Sequence, residues 1–137
     1  MDELVRWLGE QLDADEQAAR KAANVCGCHP LAASWAFRDG DEPTDGRILV
    51  VDDPHPQRKR KISRRWNATY DGLFMAEHIV RHDPARVLRE VEAKRRILTA
   101  YENYDQDAPE LDVPYSVIQL LALPYEGRPG YREQWRP

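Results

Sequence analysis

The chain has 137 residues, of which 42% are hydrophobic and 32% are charged, and its formal net charge is -4 at pH 7. This length suits a single domain over residues 1–137, and the apolar content excludes a disordered chain. No apolar run approaches the roughly 18 residues of a membrane span, and the acidic start lacks a signal-peptide pattern. We therefore expect a cytoplasmic protein that does not contact membranes.

The first predicted element is an amphipathic helix over residues 2–23. Apolar side chains recur there at three- and four-residue steps, at Leu4, Val5, Leu8 and Leu12. Asn24, Gly27 and Pro30 then break the helical pattern. The sequence therefore predicts one long helix followed by a turn.

Short strands are predicted next. Residues 35–37 and 47–51 flank a turn-rich stretch, RDGDEPTDG, and residues 61–67, KISRRWN, form a further short segment that alternates apolar and polar positions. This arrangement predicts a small antiparallel sheet of about three strands.

Helical patterns return at Tyr70 and continue to His82. The apolar side chains of this segment cover more than one stripe, so we expect the helix to be buried on much of its surface. They are Leu73, Phe74, Met75, Ala76, Ile79 and Val80.

Asp83 is predicted to cap a second helix, with Pro84 in its first turn, where the missing amide hydrogen is harmless. A last short helix is predicted from about Tyr115 to Leu123, and Pro124 ends it. The expected fold is therefore α+β: an N-terminal amphipathic helix, a small antiparallel sheet of about three strands, and two or three C-terminal helices.

Two groups of residues are candidate metal ligands. His78 and His82 lie four positions apart, so their rings can share one helix face, but Ile79 occupies the position where a metalloprotease needs glutamate. Cys26, Cys28 and His29 cluster in a turn, with a shorter spacing than a zinc knuckle uses. Our prediction is no metal site and no cofactor, with zinc binding at either group as an alternative.

A basic segment is the candidate for binding nucleic acid. Six positive charges fall within residues 58–65, and Trp66 and Tyr70 follow as possible stacking partners for bases. Basic side chains also protect the edges of sheets, which is the competing interpretation. The residues of this candidate site are Arg58, Lys59, Arg60, Lys61, Arg64 and Arg65.

The leading functional hypothesis is an accessory protein that binds another protein or a second copy of itself. The contact surface is expected to combine the aromatic residues Tyr125, Tyr131 and Trp135 with an exposed face of the helix over residues 83–104. The sequence contains no Gly-rich phosphate loop, no GxSxG and no Asp-rich metal motif, so we do not expect an enzyme.

Three segments carry a resemblance to a known family: LVRWLGEQLDADEQAAR, HIVRHDPARVLREVEAKRRIL and LLALPYEGRPGYREQWRP. With them the chain resembles the actinobacterial and actinophage family catalogued as domain of unknown function 6221. The resemblance implies no activity. It implies a phage or mobile-element origin, which a similarity in element order to small phage accessory proteins also favours.

This chain departs from the family in two segments. Members typically carry a Pro-Gly-Pro-Trp turn after the first helix, where this chain has CGCHPLAASW. They also often carry cysteines before the LALPY segment, which suggests a zinc-stapled loop, whereas residues 100–119 here contain neither Cys nor His. The metal role that the family suggests therefore does not transfer to this interval.

Overall fold

The structure is a computed structural model that describes residues 2–24, 33–38, 47–52, 70–104 and 112–137. Clustering of the backbone divides the chain into two compact units. Unit 1 comprises Met1–Glu16 and Arg89–Pro137, and unit 2 comprises Gln17–Leu88. The expectation of a single domain stays a prediction.

Helices dominate the described residues. The elements are α1 (Glu3–Ala23), β1 (Trp35–Arg38), β2 (Arg47–Val50), α2 (Tyr70–Arg81), α3 (Pro84–Glu102) and α4 (Tyr115–Ala122), followed by 3₁₀ turns at Leu123–Tyr125 and Glu133–Trp135. Within the described part of the chain, no helix has the length and apolar character needed to span a membrane.

The prediction of an α+β fold with a three-stranded sheet is wrong. In the residues that the structure describes, β1 and β2 pair antiparallel with each other alone, with Trp35 opposite Val50 and Arg38 opposite Arg47. Each strand has four residues. So short a hairpin is marginal by itself, and the long helical patterns determine the fold class instead. The strand predicted over residues 61–67 lies outside the described residues.

Helix α1 confirms the amphipathic N-terminal helix. The Asp2 carboxylate accepts a hydrogen bond from the backbone N–H of Leu4 (2.8 Å), so Asp2 caps the first turn. Leu4, Leu8 and Leu12 are completely buried. The apolar stripe of the first half of α1 therefore lies in the core of unit 1, as its spacing predicts.

The C-terminal segment packs against Trp7 within unit 1. The Trp7 ring centroid lies 5.6 Å from that of Tyr131 and 5.4 Å from that of Trp135, and Trp7 Nε1–H donates to the carbonyl of Pro129 (3.0 Å). Gly130 has φ +86°, and a Cβ at this position would lie 2.9 Å from Trp7 Nε1. Only glycine therefore allows the backbone to pass so close to the indole.

Two aspartates hold unit 2 together near its hairpin. Asp83 accepts hydrogen bonds from the backbone N–H of Arg86 (2.8 Å) and of Trp35 (3.1 Å), so it caps α3 and also anchors the start of β1. Asp52 accepts from the backbone N–H groups of Ala33 (3.1 Å) and Ser34 (2.9 Å). The predicted cap at Asp83 is thus confirmed, and it has a second, long-range partner.

Candidate functional site

Helix α2 presents two large apolar side chains to solvent. Phe74 is 62% exposed and Met75 is 57% exposed, whereas the adjacent Ala76 is completely buried. The expectation that α2 is buried on much of its surface is therefore wrong for Phe74 and Met75. The side of α2 that packs within unit 2 meets β1 and β2.

The exposed side chains of α2 form one continuous surface. With about 100° of rotation per residue, six exposed positions fall within an arc of about 160°, and Ala76, Ile79 and Val80 fall outside this arc. We call this surface the α2 face. Its residues are Phe74, Met75, Glu77, His78, Arg81 and His82.

The two histidines of the α2 face lie side by side. Their ring centroids are 4.3 Å apart with an interplanar angle of 38°. His82 Nδ1–H donates to the backbone carbonyl of His78 (2.8 Å), which satisfies a carbonyl at the helix end. The structure therefore confirms that the i,i+4 spacing places both rings on one face and that His82 helps to close the helix.

The aromatic residues proposed for protein binding have inward positions in unit 1. Tyr125 is 3% exposed, Trp135 is 4% exposed, and Tyr131 is half-buried with a buried hydroxyl group. The rings of Tyr131 and Trp135 contact each other edge to face at 5.9 Å. These side chains fill the core of unit 1, and a role for them in binding a partner stays a prediction.

Tyr125 lies at the centre of a polar network. Its hydroxyl donates to Asp15 (2.9 Å) and accepts from Lys94 Nζ (3.3 Å), while the Arg128 guanidinium lies 4.7 Å from the ring centroid. Arg128 also donates to Asp15 (2.6 Å). Burial of the hydroxyl raises the pKa of Tyr125 above its ordinary value, and the carboxylate of Asp15 raises it further.

The raised pKa predicts a loss of stability in alkali that depends on Tyr125. In the unfolded chain the phenol ionises near its ordinary pKa of 10.0, while the folded chain retains the proton. The stabilisation by the hydroxyl is therefore fully present below about pH 10 and is lost as the pH rises above it. At neutral pH, Tyr125→Phe should lower the free energy of unfolding by about 1 kcal/mol.

Urea unfolding of both proteins at about pH 7 and about pH 10.5 measures this difference. The gap between the wild type and Tyr125→Phe should narrow at the higher pH, because only the wild type loses this stabilisation. A gap that stays constant would contradict the raised pKa.

The acidic residues of α1 are paired within unit 1. Arginines from α3 and from the C-terminal segment reach four of these carboxylates, so the first half of α1 is not an uncompensated acidic surface. The pairs are Asp13–Arg95 (2.5 Å), Asp15–Arg128 (2.6 Å), Glu16–Arg95 and Glu3–Arg132.

The remaining candidate sites lie outside the described residues. These are the turn with Cys26, Cys28 and His29 and the basic segment 58–65, so metal binding by the turn and nucleic-acid binding stay predictions. Within the described ranges, no group of three or more His, Cys, Asp or Glu side chains is arranged to hold a metal ion.

Comparison with known proteins gives one match. The sequence matches a family described as "Family of unknown function (DUF6221)" over residues 1–137. No curated protein and no solved structure matches the chain.

Proposed function

Because the chain belongs to DUF6221, a family of unknown function, we propose a role from its own surface: it is an accessory protein that binds protein through the α2 face. The occupant of this face is a second copy of the chain. The proposal includes a cytoplasmic location, which the close spacing of Cys26 and Cys28 supports, and a mobile-element origin. It is a proposal of binding because the sequence has none of the catalytic motifs considered above.

The exposure of Phe74 and Met75 carries the proposal. These two neighbouring side chains are 62% and 57% exposed on one helix face. Single exposed apolar residues are ordinary on protein surfaces, but adjacent large ones form a patch whose burial gains free energy. Phe and Met are also enriched at the centres of protein interfaces. The α2 face thus has the composition of a contact surface.

The charges on the α2 face favour a second copy as the occupant. A two-fold contact brings each face against an identical one, so a face with charges of a single sign would repel itself. Glu77 and Arg81 are both exposed on the α2 face, one turn apart, and they carry opposite charges. The face is therefore compatible with its own copy, and in such a contact Phe74 can pack against Met75 of the second chain.

Sedimentation velocity from micromolar to millimolar concentration tests the proposal. The wild-type chain should show a rise in average mass toward a dimer, and a chain with Phe74→Ser and Met75→Ser together should remain monomeric. Leu120→Ser is the matched control, because Leu120 is 55% exposed on α4 in unit 1. This control should associate like the wild type.

Two outcomes would overturn self-association through the α2 face. One is a wild-type mass that stays monomeric over the whole concentration range, which would leave the face to a different partner. The other is a doubly substituted chain that associates as strongly as the wild type. Circular dichroism of each variant shows whether the helices are retained, which is expected because both side chains point to solvent.

A further inference from the structure

His78 and His82 have an arrangement that a structural role for His82 alone does not require. Both side chains are exposed on α2, and their ring centroids are 4.3 Å apart. The hydrogen bond from His82 Nδ1 to the carbonyl of His78 accounts for one ring nitrogen of one residue. It does not account for the second ring lying beside the first.

The same hydrogen bond fixes the form of His82 that can bind a metal ion. A carbonyl oxygen only accepts hydrogen bonds, so Nδ1 carries the proton, and in the neutral ring Nε2 keeps its lone pair. Histidines that bind metals commonly donate their other N–H to a backbone carbonyl or a carboxylate, which orients the ring. His82 therefore already has the supporting contact of a metal ligand.

We propose that His78 and His82 together chelate one divalent ion of a late first-row transition metal. Neutral imidazole nitrogens suit nickel, copper and zinc, and two of them one turn apart on a helix can bind the same ion. The described residues contain no group of three or more potential ligands. Protein atoms of the described chain thus supply two ligands, and water or another ligand fills the other positions.

The predicted preference follows from the ligand type. Affinity for a site of nitrogen ligands increases from cobalt to nickel to copper, and zinc binds less tightly than copper. Magnesium and calcium prefer oxygen ligands, so they should not compete at millimolar concentration. An ion at this position would link the last turn of α2 to the residue that follows it, and would stabilise the helix end.

Calorimetric titration with nickel chloride tests the proposal. The wild-type chain should bind one nickel ion, and His78→Gln and His82→Gln should each weaken binding by about 100-fold, because one ligand remains where two acted together. The matched control replaces the two other histidines of the chain, His29→Gln and His55→Gln, and should bind nickel like the wild type.

A second measurement needs no substitution. Nickel is paramagnetic in octahedral sites, so substoichiometric nickel should selectively broaden the NMR signals of the His78 and His82 rings. Unchanged nickel binding in both single variants, or loss of binding in the control alone, would overturn the proposal. Broadening confined to other histidines would overturn it as well.

This proposal can fail independently of self-association. Phe74→Ser and Met75→Ser together remove the apolar part of the α2 face and leave both imidazoles, so the substituted chain should bind nickel as the wild type does. If it neither associates nor loses nickel affinity, the metal site and the contact surface are separate properties of one helix.

Discussion

Trp7→Ala should destabilise the protein by about 3 to 5 kcal/mol, which is the range for removing a buried aromatic side chain. Trp7 is 7% exposed and contacts the rings of Tyr131 and Trp135. The substitution removes these contacts and leaves a cavity, and it also removes the N–H that holds the carbonyl of Pro129. The C-terminal segment would lose its main attachment to α1.

Denaturant unfolding followed by circular dichroism measures this effect. Trp7→Phe is the graded control, because it keeps an aromatic ring but cannot donate a hydrogen bond to Pro129. Its loss of stability should be clearly smaller than that of Trp7→Ala. If Trp7→Ala costs less than about 1 kcal/mol, the packing of the C-terminal segment on Trp7 does not contribute to folding.

Asp83→Ala is the second large effect, with an expected loss of about 2 kcal/mol. Removal of a helix cap typically costs about 1 kcal/mol, and the lost hydrogen bond to the N–H of Trp35 adds a similar amount. A residue that served only as a cap would give about half of this. The larger value therefore distinguishes the two-partner arrangement from a local cap.

Asp83→Asn separates the two contributions. Asparagine is also a good capping residue, but it has one acceptor oxygen where aspartate has two. It can keep the bond to Arg86 or the bond to Trp35 in its present geometry, so its stability should lie between those of Asp83→Ala and the wild type. Equal thermal stability of all three proteins would show that neither bond is important.

The elements that sequence analysis predicted well are those coded by neighbouring residues. The stripe of α1 repeats every three or four positions, and the Asp83–Pro84 pair states the start of α3 within two residues. Both signals are local, so they hold without knowledge of the rest of the fold. The bond from Asp83 to Trp35 joins residues 48 positions apart and has no such signal.

The error on α2 has a physical cause. The composition of residues 73–80 is apolar, and an apolar helix is usually buried on several sides. Which sides are covered depends on what packs there, and β1 and β2 meet α2 without covering Phe74 or Met75. Hydrophobicity thus predicts how much surface a helix tends to bury, while the number of neighbours decides how much it does bury.

The aromatic residues of the C-terminal segment show the reverse case. Their spacing in the sequence is irregular, so it gives no face and no period, and they were assigned to a binding surface. In the structure Tyr125 and Trp135 are buried, and Tyr125 is fixed by Asp15, which is 110 positions away. A contact of this range is visible only in the folded chain.

The pairing of Glu3 with Arg132 sets an order for folding during synthesis. These residues lie 129 positions apart, and unit 1 is built from the first and the last parts of the chain. Unit 2 is continuous over Gln17–Leu88, so all of its residues leave the ribosome well before the last arginines do. Until then the apolar stripe of α1 has no permanent cover, and the nascent chain must keep it from other proteins.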